Sequence, residues 1–156
     1  SGNTESAENV WGGTGYPYLI SVASPLDVFA GGYETTVTYS EQEIKTRILR
    51  TAPKADLSGS ASGWIGATEC SSAGTVKSIL LGGQKRSGNQ ARSAFNLRSA
   101  NFTVAYADGN FTFTVKGYGH NVGMSQAGAQ AMAKQGADYK QILAWYYPST
   151  ALAKQG

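Results

Sequence analysis

The stretch from residue 101 to residue 117 places the strongest constraint on the fold. Two runs, NFTVAYA and NFTFTVKG, alternate apolar with polar side chains on either side of the pair Asp108-Gly109. Asp-Gly is favoured in the type I′ turn between antiparallel strands, because both of its residues tolerate a positive φ. The alternation buries one face of each strand. This stretch therefore predicts an antiparallel β-hairpin, whose buried face needs a core supplied by other elements.

Other segments carry the signals that begin and end strands and helices. Residues 1–15 are polar and rich in glycine, and they predict a loop. Strands are predicted at residues 16–23, 35–39, 63–70 and 75–82. One helix is predicted after the Ser40–Glu43 capping box, with Ile44, Ile48 and Leu49 on one face. Three more are predicted at residues 88–94, from Ser125 to Gln135 and from Tyr139 to about Tyr147. Elements in this order predict an α+β fold, mainly an antiparallel β-sheet with a C-terminal helix pair.

Composition limits the kind of partner that the chain can have. The 156 residues suit one compact domain, residues 1–156, and a net charge of +3 is too small for the basic surface of a nucleic-acid-binding protein. No nucleic-acid partner is therefore expected. Cys70 is the one cysteine, so no intrachain disulfide can form, and a lone Cys in a strand-like run is typically a small buried residue. With His120 as the one histidine, neither a metal site nor a cofactor is expected.

Residues 117–136, GYGHNVGMSQAGAQAMAKQG, combine a glycine-rich turn, the one histidine and the start of a helix. Glycine permits a positive φ and close backbone approach, so such a turn can hold His120 at the mouth of a cleft. The free N–H groups of the helix's first turn favour an anionic or polar group of a ligand. The alternative is that the glycines only form a tight corner between strand and helix, with His120 capping it.

The same segment resembles the C-terminal signature of the SpoIID (stage II sporulation protein D) family, which is close to G-x-G-H-G-V-G-M-S-Q-x-G-A. Asn121 and Ser149 stand where that family usually has Gly, and Asn is the non-glycine residue that best tolerates a left-handed backbone, so the turn can still form. The resemblance is weaker over residues 28–90. Elsewhere it continues through SGNTESAENVWGG at 1–13, PYLISV at 17–22, ARSAFNLRSANF at 91–102, MAKQG at 132–136, YKQIL at 139–143 and YYPST at 146–150.

The resemblance implies an enzyme that processes peptidoglycan glycan strands as a lytic transglycosylase and forms 1,6-anhydro-N-acetylmuramic acid ends. The family's catalytic Glu lies in a K-A-Q-A-V-A-A-R-T-Y type motif, which no segment of this chain matches. The acid is therefore expected upstream of Ser1, and this chain is expected to be the C-terminal portion of the family's domain, without a catalytic residue, forming one wall of the substrate cleft. The expected substrate contacts are His120, Tyr118, Ser125, Gln126, Thr4 and Arg92.

The resemblance also implies an extracytoplasmic location, in the cell wall or at the outer face of the membrane. Three classes of partner are expected from it. They are peptidoglycan glycan strands, the missing N-terminal part of the same protein, and a wall amidase or other sporulation proteins.

Alternatives stay open at this stage. Because amidase enhancers are related to SpoIID, the chain is alternatively a non-catalytic module that binds glycan while a partner cuts. Glu5 or Glu8 is an alternative acid, although each is typical of a solvated loop residue. Ser1 is an alternative N-terminal nucleophile, exposed by self-cleavage. Tyr146 and Tyr147 end the last predicted helix and are expected to pack rather than to bind.

Overall fold

The computed structural model describes residues 2–29 and 31–153, and the Ser1 nucleophile hypothesis lies outside them. Within these residues helices and antiparallel strands alternate, so the predicted α+β class is confirmed. The helices are α1 (Ala7–Trp11), α2 (Glu41–Thr51), α3 (Gly88–Ala94), α4 (Gln126–Lys134) and α5 (Tyr139–Tyr146), with short 3-10 helices at Pro25–Phe29 and Ala61–Gly63. The strands are β1 (Glu34–Ser40), β2 (Ile65–Cys70), β3 (Val76–Leu81), β4 (Gln84–Ser87), β5 (Phe102–Ala107) and β6 (Asn110–Lys116).

The chain divides into two compact units. The contiguous unit is Glu34–Gly119, and the split unit joins residues 1–33 to residues 120–156. Strands β1 to β6 and helices α2 and α3 belong to the contiguous unit, whereas α1, α4 and α5 belong to the split unit. The description of residues 1–156 as one domain stays a prediction. No helix among the described residues has the length and apolar character needed to cross a membrane.

The predicted hairpin forms one sheet of the contiguous unit. Strands β5 and β6 pair in antiparallel fashion, and β1 adds to the other edge of β6, also antiparallel. Asp108 and Gly109 have φ values of 50° and 75°, the left-handed conformations that a type I′ turn requires. The hairpin prediction is therefore confirmed, and β1 confirms the strand predicted at 35–39.

The second sheet has the order β2-β3-β4, and β4 was not predicted. Its four residues, QKRS, carry no apolar side chain, so the sequence holds no signal of burial there. The strand forms because Gly82 and Gly83 both adopt a positive φ and return the chain onto β3. Strand β2 lies at the other edge, where Cys70 is exposed, so the prediction of a buried Cys70 is wrong.

The core of the contiguous unit is formed by side chains of both sheets and of helices α2 and α3. Phe113 of β6 is fully buried, and its ring centroid lies 4.8 Å from that of Phe95. Helix α2 begins at the predicted Ser40 capping box and buries Ile44 and Ile48. Leu49 was predicted on the same face, but its side chain is 38% exposed. It follows Ile48 by one residue, a step of about 100° around the helix, which turns it away from the core.

In the split unit, the strand predicted at residues 16–23 is wrong. This segment turns at residues 17–18, where Leu19 N–H donates to the Tyr16 carbonyl at 2.9 Å. It meets residues 2–7 through separate hydrogen bonds: Thr4 N–H donates to the Val22 carbonyl at 2.7 Å and Ala7 N–H to the Leu19 carbonyl at 2.9 Å. No ladder can continue, because the facing segment turns at Ser6 into helix α1. That helix also corrects the loop prediction for residues 1–15.

The C-terminal helix pair is confirmed as α4 and α5. Ser125 caps α4, with its hydroxyl accepting from the Gly128 N–H at 3.1 Å. Asp138 and Gln141 form a capping box at the start of α5, since each side chain accepts from the other's backbone N–H at 2.9 Å. Both boundaries follow local sequence signals, which explains why the sequence predicted them.

Candidate functional site

The glycine-rich turn presents His120 to solvent on the split unit. The imidazole Nδ1 accepts a hydrogen bond from the Val122 N–H at 3.0 Å, and the side chain is exposed. In the neutral ring, Nδ1 as acceptor leaves the proton on Nε2, which is then a donor for a ligand. Asn121, with φ at 63°, adopts the left-handed conformation that a family glycine would adopt there. The turn therefore forms with Asn, as the sequence predicts.

The N-terminal segment lies directly beside His120. Glu5 N–H donates to the Asn121 carbonyl at 2.7 Å, and Glu5 pairs in parallel with Val122. At the end of helix α1, the Trp11 ring centroid lies 5.2 Å from that of His120, and the two ring planes are tilted by 54°. The histidine turn and the N-terminal segment thus form one surface, although Glu5 and His120 lie 115 positions apart in the sequence.

Glu5 is fully buried, which corrects the expectation of a solvated loop residue. Its Oε1 accepts from the Ser6 backbone N–H and from the Asn9 side-chain amide, each at 2.9 Å. The carboxylate therefore holds the first turn of α1 and is not presented to a ligand. Glu8, on the same helix, is exposed. Sequence reasoning missed the burial of Glu5 because acidic residues in a polar segment are usually solvated.

A buried carboxylate also supports the start of α4. Asp27 Oδ1 accepts from the Ser24 hydroxyl at 2.8 Å and from the Ser125 hydroxyl at 2.6 Å. The Ser24 hydroxyl also lies 2.7 Å from the Tyr146 hydroxyl. We call Asp27, Ser24, Ser125 and Tyr146 the buried polar cluster. The sequence around Asp27 is typical of a loop and does not indicate that its carboxylate is buried. The one local signal is Ser24, three residues earlier, which could have suggested a hydrogen bond to Asp27.

Gly128 is the place where α4 meets the buried polar cluster. A Cβ at this position would lie 2.0 Å from the Tyr146 hydroxyl oxygen, 2.4 Å from Ser24 Oγ and 2.9 Å from Asp27 Oδ1. Only glycine therefore fits, and the small residues at the start of α4 allow the close approach that the sequence suggested. Burial raises the pKa of Tyr146, with the nearby Asp27 acting in the same direction and the Ser24 hydrogen bond opposing it. Its hydroxyl is thus neutral at physiological pH.

The aromatic residues at the end of α5 bond to two other segments of the split unit, around residues 23–27 and 124–125. Trp145 Nε1 donates to the Ala23 carbonyl at 2.8 Å. The Tyr147 hydroxyl accepts from the Met124 N–H at 3.3 Å, and Tyr146 is buried within the polar cluster. These contacts confirm that Tyr146 and Tyr147 pack within the fold.

The remaining predicted contact residues lie in different settings. Thr4 is only 3% exposed, and its Oγ1 accepts from the Val22 N–H at 2.9 Å, so its side chain supports the loop. Gln126 is exposed at the first position of α4. Tyr118 and Arg92 belong to the contiguous unit. Tyr118 is 79% exposed, and Arg92 Nε donates to the Leu97 carbonyl at 3.3 Å. Substrate contact by these residues stays a prediction.

Comparison with known proteins finds sequence relatives that are named as sporulation proteins and as an amidase enhancer. The chain is 35% identical, over 99% of its length, to stage II sporulation protein D of Bacillus amyloliquefaciens, and 33% identical over the same share to that of Bacillus subtilis strain 168. It is 29% identical, over 97% of its length, to the amidase enhancer of Bacillus subtilis strain 168. The chain spans 43% of both sporulation proteins and 28% of the amidase enhancer. No family model matches the chain.

Proposed function

Because this chain belongs to the family of stage II sporulation protein D and the amidase enhancer, we propose that it binds peptidoglycan glycan strands at the bacterial cell wall. We further propose that it forms one wall of the cleft of a lytic transglycosylase, outside the cytoplasm. The observation that carries the proposal is the exposed His120, whose ring is oriented by the Val122 N–H.

The orientation of His120 suits a polar ligand that is not strongly charged. With Nδ1 occupied, Nε2–H is available to a sugar hydroxyl, an N-acetyl carbonyl or the carboxyl group of a catalytic acid. A precisely placed polar group is typical of a site that orients its ligand. Ser125 of the predicted contacts donates its hydroxyl to Asp27, so its contribution to the site is to hold the start of α4.

The proposed reaction needs one carboxyl group that acts first as acid and then as base. It protonates the glycosidic oxygen as the bond from C1 of N-acetylmuramic acid to N-acetylglucosamine breaks. The C6 hydroxyl of the same muramoyl residue attacks C1, and its proton returns to the carboxylate, so no water is consumed. In this proposal the acid comes from polypeptide outside the 156 residues, because no segment of this chain matches the family's catalytic Glu motif. Of the two alternative acids, Glu5 is buried against Ser6 and Asn9.

A second candidate function is a glycan-binding module that assists a wall amidase. The relationship to an amidase enhancer favours it, because the same His120 surface would then hold glycan while the partner cleaves. The two functions predict different products. A transglycosylase releases muropeptides with 1,6-anhydro ends, whereas an enhancer releases none alone and increases the amide cleavage by an added amidase.

Both functions are tested with the full-length protein that carries this chain. Incubation with purified peptidoglycan, followed by chromatography and mass spectrometry, identifies anhydro ends. Absence of anhydro ends together with stimulation of an amidase would favour the module. Absence of both effects, and of glycan binding, would contradict the proposal.

His120→Ala tests the residue that carries the proposal. Loss of one hydrogen bond to the ligand is expected to weaken glycan binding or turnover by about 3- to 10-fold. The melting temperature should be nearly unchanged, because the side chain is exposed. Gln130→Ala, at an exposed position on α4, is the matched control and should bind normally. A large fall in melting temperature for His120→Ala would instead show that the histidine only caps the turn.

A further inference from the structure

Helix α1 displays an exposed tryptophan beside the histidine turn. Trp11 is 60% exposed, although large aromatic side chains are usually buried for most of their area. Its neighbour is the imidazole of His120, at 5.2 Å between ring centroids. The tilt of 54° means that the two rings do not cover each other face to face. A large part of the indole surface is therefore available to a ligand next to a hydrogen-bond donor.

The short helix that carries Trp11 is held firmly by buried contacts. Ala7 is buried, and its N–H donates to the Leu19 carbonyl at 2.9 Å. Ser6 caps the helix by accepting from Asn9 N–H at 3.2 Å, and the buried Glu5 carboxylate accepts from the Asn9 side chain. A five-residue helix has little stability of its own, so these contacts are what keep Trp11 in place. A fixed and exposed aromatic ring loses little conformational entropy when a ligand covers it.

The same glutamate connects the tryptophan helix to the histidine turn. Glu5 N–H donates to the Asn121 carbonyl at 2.7 Å, while its side chain holds Asn9 of α1. The helix that carries Trp11 and the turn that carries His120 are therefore both bonded to one buried residue. The fold brings the two backbone segments together before a ligand binds.

The chemistry of this pair fits a pyranose ring. One face of a β-linked N-acetylhexosamine is lined by C–H groups, which carry a small positive charge and are attracted to the negative face of an indole. The rim of the same sugar carries hydroxyl and N-acetyl oxygens, which accept hydrogen bonds from an imidazole N–H. We propose that Trp11 is the stacking residue of the glycan site and that it selects a pyranose ring for the place beside His120. This inference rests on the proposed function and adds a specificity-determining residue to it.

Titration calorimetry with tetra-N-acetylchitotetraose and with purified glycan strands tests the inference on the full-length protein. Trp11→Ala is expected to weaken both affinities about 5- to 10-fold, because stacking is lost. Trp11→Phe retains a ring and is expected to lose less than about 3-fold. Tyr139→Ala is the matched control: Tyr139 is a 65% exposed aromatic residue of the same unit, so its loss should leave both affinities unchanged.

The outcomes separate this inference from the function on which it rests. Absence of glycan binding by the wild-type protein would contradict the proposed function itself. Binding that weakens in His120→Ala but is unchanged in Trp11→Ala would overturn the stacking role and leave the function intact. Equal weakening in Trp11→Phe and Trp11→Ala, with wild-type melting temperatures, would also overturn it, because a ring that stacks should be replaceable by another ring. Weakening that is larger in Trp11→Ala than in Trp11→Phe, with Tyr139→Ala unchanged, supports the inference.

Discussion

Replacement of Gly128 by Ala should damage the split unit, even though Gly128 lies within a helix. Alanine is the better helix former by about 1 kcal/mol, so propensity alone predicts that the variant is more stable. The added methyl group would, however, lie 2.0 Å from the Tyr146 hydroxyl oxygen and 2.4 Å from Ser24 Oγ. Neither oxygen can move away freely, because the two lie 2.7 Å apart and Ser24 also donates to Asp27.

The expected magnitude follows from three terms. Inserting a methyl group into a packed interior costs about 1–3 kcal/mol. Displacing a hydroxyl of the buried polar cluster leaves at least one buried group without its partner, at about 1–3 kcal/mol. Set against the helix-propensity gain of about 1 kcal/mol, the free energy of unfolding should fall by about 1–5 kcal/mol. For a chain of this size, that corresponds to a melting temperature lower by roughly 3–15 °C.

Urea unfolding followed by circular dichroism measures this free energy. Gly59→Ala is the matched control, because a Cβ at Gly59 meets no atom within 4 Å, and its effect should stay within about 0.5 kcal/mol. The double variant Gly128→Ala/Tyr146→Phe removes the nearest clashing oxygen. Its loss in free energy of unfolding should therefore be smaller than the sum of the losses of the two single variants. A Gly128→Ala variant as stable as the wild type, or more stable, would refute the reasoning.

Two further predictions concern the turn and the buried tyrosine. Asn121→Ala should lower the free energy of unfolding by about 1 kcal/mol, because alanine resists the left-handed conformation. Asn121→Gly should not lower it, because glycine adopts that conformation freely and the change removes a buried Nδ2 that has no hydrogen-bond partner among the described residues. Equal melting temperatures of the two variants would contradict this prediction. Because burial raises the pKa of Tyr146, its contribution to stability is complete below the unfolded-state tyrosine pKa of about 10 and is lost as the pH rises above it. Above a pH of about 10 the melting temperature should therefore fall less steeply with rising pH for Tyr146→Phe than for the wild type. An equally steep fall for both proteins would contradict the prediction that ionisation of Tyr146 destabilises the fold.

The elements that the sequence predicted are those specified by neighbouring residues. The Asp108-Gly109 hairpin and the capping boxes at Ser40 and Asp138 each act over a few residues, and each formed where expected. Strand β4 was missed because its pairing depends on a glycine turn and not on apolar alternation. Residues 16–23 look like a strand because they are rich in aromatic and β-branched residues, but residues 17–18 form a turn and the facing segment enters α1 at Ala7.

The candidate site was predictable only in part, for a related reason. The exposed His120 and its nearness to the N-terminal segment followed from the glycine-rich motif and its resemblance to a family. The burial of Glu5 and Asp27 did not, since both carboxylates lie in segments that look solvated. The buried Asp27 carboxylate accepts a hydrogen bond from Ser125, which lies 98 positions later in the sequence. A pattern of neighbouring residues cannot predict a contact over that separation.

The division of the split unit has a consequence for how the protein is made. Ser24 and Ala23 each bond to residues of α5 that lie 122 positions later in the chain. At a translation rate of about 5–20 residues per second, the ribosome delivers those partners roughly 6–24 s after the N-terminal segment has emerged. The contiguous stretch between them contains all of its own strand partners and can fold during that interval. The surface that α1 and the histidine turn form together therefore stays incomplete until residues 120–122 have been synthesised.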